Sequence, residues 1–128
     1  MLLQDVVVLH PVESVTFDAG ALQSLALAAG PGQLSSETDD LFEDFVVCLS
    51  SVESAWSAGE FERLLVRAEA LVGLSERLGL QQSARVASHL VGLVGRRDDV
   101  ALAAVVSRAV RVAEASLASA LEYAYRRI

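Results

Sequence analysis

The stretch Phe61-Glu62-Arg63-Leu64-Leu65-Val66-Arg67-Ala68-Glu69-Ala70-Leu71-Val72-Gly73-Leu74-Ser75-Glu76-Arg77-Leu78-Gly79 repeats its apolar residues at steps of three and four. That spacing is the period of an amphipathic helix, not of a strand. It predicts a helix over about residues 60–78, with Phe61, Leu64, Leu65, Ala68, Leu71, Val72, Ser75 and Leu78 on one face. Gly79 is a C-terminal stop, because glycine adopts the left-handed conformation in which helices commonly end. At about 100° per residue, the Phe61/Leu65/Ala68/Val72 side is expected to face the core. Glu69 then falls about a quarter-turn or more away, beside Gly73 and Glu62 and near Val66.

The same period extends in both directions. Upstream, Leu41, Phe42, Phe45, Cys48, Leu49, Val52 and Trp56 mark a helix over 37–57. The acids and hydroxyls of Ser35-Ser36-Glu37-Thr38-Asp39-Asp40 suit its N-terminus, and Ala58-Gly59 breaks it. Downstream, helices are expected over 81–95 and 99–126, with Arg96-Arg97-Asp98-Asp99 turning the chain between them. In the last helix Val100, Ala103, Val106, Val110, Ala113, Leu117, Ala120, Leu121 and Ala124 are expected inside. Near the start, Asp18 caps a short pattern over 19–29 that Gly30-Pro31-Gly32 ends. Residues 1–16, with Val6-Val7-Val8-Leu9 ahead of Pro11, read as an extended arm. The fold class is therefore all-α: an antiparallel up-down four-helix bundle with a short extra N-terminal helix, occupying residues 17–128. Short turns between long helices imply antiparallel neighbours.

Composition narrows the function. At 128 residues there is room for one domain, and 53% hydrophobic against 21% charged residues exclude disorder. The net charge is −7 and all ten basic residues are arginine. So acidic a chain has no general attraction for phosphate backbones or anionic membrane surfaces, which argues against nucleic-acid and membrane partners. A lone cysteine, Cys48, cannot form an internal disulfide and sits in an apolar run, where it reads as core. Asp5 and the lack of a basic start argue against a signal peptide, and no apolar run reaches a bilayer-spanning length. The cytoplasm is the expected location.

Motifs for chemistry are missing. His10 and His89 lie in different segments with no second metal ligand nearby, so no metal is expected, and no phosphate-cradling loop or nucleophile elbow supplies a cofactor site or catalytic residue. Glu60, Glu62 and Glu69 share a helix with Arg63 and Arg67, whose plain reading is a solvated, salt-bridged face. His89 is expected on the surface, with Arg85 one turn away.

Residues 68–80, Ala-Glu-Ala-Leu-Val-Gly-Leu-Ser-Glu-Arg-Leu-Gly-Leu, resemble the signature of the histidine phosphotransfer (HPt) domain family, Ala-His-x-Leu-Lys-Gly-x-x-x-x-Leu-Gly. The order of helices over about 17–125 is similar too. The resemblance implies an antiparallel four-helix bundle that docks a receiver domain or a histidine kinase. It also implies a phosphoacceptor at residue 69 and a charge-balancing lysine at residue 72, and here the chain departs: those positions hold Glu69 and Val72. Glutamate cannot carry out the reversible phosphoramidate chemistry of imidazole, and valine cannot pair with phosphate. What the resemblance leaves is a phosphorylation-incompetent adaptor that is not an enzyme. Its partner face would comprise Glu62, Val66, Glu69, Ala70, Val72 and Gly73, with Gly73 allowing close approach. Two alternatives stay open: His89 as a relocated phosphoacceptor, and an unrelated interaction or homodimerisation module that uses the arm and Tyr123/Tyr125.

Overall fold

The computed structural model of the chain describes residues 36–126, and these contain four helices and no strand. They are α1 (Ser36–Ser57), α2 (Phe61–Arg77), α3 (Gln81–Val94) and α4 (Asp99–Arg126). The expected arm over 1–16 and the short helix over 19–29 lie outside the described residues. Each helix packs on the next, and α4 returns to meet α1 across a smaller contact.

Glycine geometry ends the first two helices. Gly59 and Gly79 adopt φ +69° and +73°, where a side chain would be strained. The two turns repeat one bonding scheme. Glu60 N–H donates to Ala55 C=O (2.9 Å) and Gly59 N–H to Trp56 C=O (3.1 Å); Leu80 N–H donates to Ser75 C=O (2.7 Å) and Gly79 N–H to Glu76 C=O (3.1 Å). This is the double capping that satisfies the last carbonyls of a helix. The third turn has no glycine at the equivalent place. Arg97 takes φ +52°, its N–H donates to Leu93 C=O (3.2 Å), and its guanidinium lies 5.3 Å from the centre of the Phe61 ring. A cation over an aromatic face contributes on the order of 1 kcal/mol, which offsets the strained backbone. Asp98 then caps α4 by accepting from Ala101 N–H at 3.1 Å.

One core runs through the four helices. From α1 it takes Leu41, Phe42, Phe45, Cys48, Leu49 and Val52, as the periodicity requires, with Trp56 half-buried at the end. Its α2 contribution is Leu64, Ala68, Leu71 and Ser75, while Phe61, Leu65 and Val72 are half-buried at the edge. The expected Phe61/Leu65/Ala68/Val72 centre is thus corrected by a rotation of about 60°. Leu64 and Leu65 compete for the same seam, and Leu64 with Leu71 wins it. A second correction falls on α4. Val100 is 84% exposed and Ala103 is exposed, whereas Leu102, Val106, Ala109 and Val112 are buried. Residues 100–106 are apolar throughout, so they carry no period of their own, and the bulkiest of them, Leu102, sets the phase.

Polar groups inside the core are few. Ser75 and Ser83 are buried and their hydroxyls hydrogen-bond at 2.8 Å, tying α2 to α3. Replacing either serine with alanine should cost about 1–2 kcal/mol in denaturant unfolding, since the remaining hydroxyl loses its partner, and the double replacement should cost less than the two single costs added. Ser116 is fully buried and its Oγ finds no hydrogen-bond partner among the described residues. Ser116→Ala is therefore expected to raise stability by about 1 kcal/mol in the same measurement.

Candidate functional site

The rotation of α2 determines what it shows to solvent. Gly73 stands nine residues beyond Leu64, so it falls about half a turn from the buried seam, with Val66 beside it. Val66 is 58% exposed, and Glu62 and Glu69 are exposed on the flank next to this pole. Ala70 and Val72 are half-buried and pack against the core. The sequence-predicted site thus divides. Glu62, Val66, Glu69 and Gly73 share one outward face, whereas Ala70 and Val72 line its edges. With the seam centred nearer Leu64, Glu69 points farther from the core than the sequence wheel placed it.

The charges on this helix are unequally matched. Arg63 pairs with Glu60 at 3.1 Å and donates to Ser54 Oγ at 2.9 Å, which commits it to the α1–α2 turn. Neither Glu62 nor Glu69 forms an ion pair among the described residues. The plain salt-bridged face therefore accounts for Glu60 and leaves Glu69 as an open carboxylate.

Gly73 is not required by the fold. It lies inside a regular helix, and a Cβ built on it would meet nothing within 4 Å. Glycine in a helix interior is destabilising, and at this half-buried position no packing contact among the described residues accounts for it.

The remaining reactive groups are elsewhere. Cys48 is buried, its Sγ donates to Arg67 C=O at 3.3 Å, and burial pushes the thiol pKa up against a smaller opposing pull from the Arg67 charge. A protonated, enclosed thiol is a poor nucleophile. His89 is exposed on α3, as expected, and with Gln82, Arg85, Val86 and Arg108 lines a depression toward α4, apart from the Glu69 face. Tyr125 is 57% exposed and Tyr123 half-buried.

No protein-family model, curated protein or solved structure matches this chain. The site must be read from its own residues. Among the described residues no group of three or more His, Cys, Asp or Glu could hold a metal ion, and no helix is long and apolar enough to cross a membrane.

What this geometry offers is a fixed negative charge beside a small apolar patch. Gly73→Ala should raise the unfolding free energy by up to about 1 kcal/mol, because alanine is the better helix former and nothing obstructs its methyl group. A drop in thermal or denaturant stability would show that the glycine is packed after all.

Proposed function

We propose that this chain is a degenerate HPt-like adaptor: a cytoplasmic module that binds a receiver domain or a histidine kinase and modulates a phosphorelay without accepting phosphate. The reading rests on Glu69, an exposed carboxylate with no ion pair among the described residues, on the outward face of α2 beside Val66 and Gly73. Its carboxylate supplies a permanent charge where the resembling family presents a reactive imidazole. One carboxylate carries one negative charge and a phosphoryl group nearly two, so the imitation is partial.

On this reading the helices form an antiparallel up-down bundle with a short extra N-terminal helix. Two contacts favour that topology. Arg97, in the α3–α4 turn, lies over Phe61 at the start of α2, and Phe61 meets Trp56 at the end of α1 edge-on with centroids 6.4 Å apart. Both connections therefore gather at one end, and the Ser75–Ser83 bond marks the other. Connections this short leave an antiparallel return as the economical route.

The test combines titration calorimetry with phosphotransfer. Receiver domains and kinase dimerisation domains are titrated with the full chain, and phosphorylated receivers are used as donors. Saturable binding is expected, weakened by about tenfold or more in Glu69→Lys and in Val66→Asp, since each places a mismatched group at the centre of the face. No acid-labile phosphate should accumulate on the protein. Label that accumulates and disappears in His89→Ala would overturn the adaptor reading and make His89 a phosphoacceptor.

A second reading is favoured by a different observation. Val46 and Val47 on α1 and Val100 and Tyr125 on α4 are all more than half exposed, which suits a module that self-associates. Light scattering distinguishes a homodimer from a monomer.

A further inference from the structure

The acidity of this chain is not evenly spread. Glu37, Asp39, Asp40, Glu43, Asp44 and Glu53 are all exposed on α1. Between Glu76 and Asp98, by contrast, there is no acidic residue, while Arg77, Arg85, Arg96, Arg97 and His89 all fall there. Helix α3 therefore opposes the sign of the whole molecule, whose net charge is −7.

Arg85 and His89 border a depression between α3 and α4. Arg85 and His89 are four residues apart, so they stand one above the other on the same flank of α3. Gln82 lies one turn before His89's neighbour Val86, and all four residues line the depression that Arg108 of α4 borders from the opposite side. None of the five lining residues among those described is acidic. Within one turn of Arg108 on α4, Ala104, Val105 and Val112 are apolar and Arg111 adds a further positive charge. Arg85 also borders the neighbouring α2–α3 depression, where Glu76 is found, and the two form no ion pair among the described residues. Arg108 is half-buried and held by an interaction of its own, so the first contacts with a ligand fall to Arg85, His89 and Gln82.

We propose that the α3–α4 depression is a binding site for a phosphate-class oxyanion, separate from the Glu69 face and independent of the adaptor reading. Arg85 presents a planar fork of N–H donors matched to phosphate oxygens. His89 and Gln82 add donors from positions above and below it. Donors that arrive from three positions along α3 suit the several oxygens of a tetrahedral anion better than the two coplanar oxygens of a carboxylate. Val86 forms the apolar floor. The same chemistry would take a free phosphate ion or the phosphoryl group on a modified side chain of a partner protein.

The experiment is an amide and histidine-imidazole NMR titration of the full chain, at constant ionic strength, with inorganic phosphate, a phosphoserine peptide and the unphosphorylated peptide. Saturable shifts are expected at Gln82, Arg85, His89 and Arg108. Arg85→Gln and His89→Ala should each weaken binding by about tenfold or more, the loss of one charge-assisted contact, while Glu69→Gln leaves it unchanged. Saturation by inorganic phosphate assigns the site to the free ion. Saturation by the phosphopeptide alone assigns it to a carried phosphoryl group. The proposal is overturned if neither ligand saturates, or if the shifts persist unchanged in Arg85→Gln with circular dichroism showing the variant folded. Equal response to the unphosphorylated peptide also overturns it.

Discussion

The rotational setting of α2 about its own axis is the constraint on which the rest depends. Leu64, Ala68, Leu71 and Ser75 form a seam with no solvent exposure. Two independent terms hold it there. Burying Leu64 and Leu71 contributes roughly 1.5–3 kcal/mol each, and turning them outward would forfeit that. The opposite face carries Glu62 and Glu69, and moving an unpaired carboxylate into the core costs several kcal/mol more. Ser75 adds a directional element, because its bond to Ser83 survives only at this rotation. Glu69 is consequently oriented by the packing of the opposite side of its own helix.

That arrangement also sets which groups the α2 face presents. Its exposed group is the Glu69 carboxylate, while the thiol of Cys48 is enclosed and His89 belongs to a different surface. Charge is segregated along the chain as well, with exposed acids on α1 and no acidic residue between Glu76 and Asp98.

Turn chemistry supports the same frame at its ends. The first two turns rest on Gly59 and Gly79, whose missing side chains permit the left-handed backbone and whose bonding schemes are duplicates. In the third, Arg97 accepts the strained conformation and its side chain reaches across to Phe61. That contact couples the α3–α4 corner to the start of α2, the helix that carries Glu69.

Read alone, the residues determined the helical period, the four helix spans to within a residue or two, the burial of Cys48 and the exposure of Glu69 and His89. These are local properties: apolar spacing, glycine stops and the cost of burying charge act within one turn or one helix. The rotation of α2, the phase of α4 near Leu102, the Arg97–Phe61 contact and the meeting of Arg85 and His89 with Arg108 were decided only by tertiary packing. Where neighbouring positions are equally apolar, as at Leu64-Leu65 and across residues 100–106, periodicity is degenerate. The choice then falls to whichever side chain best fills the space between helices, and that space exists only after the chain has folded.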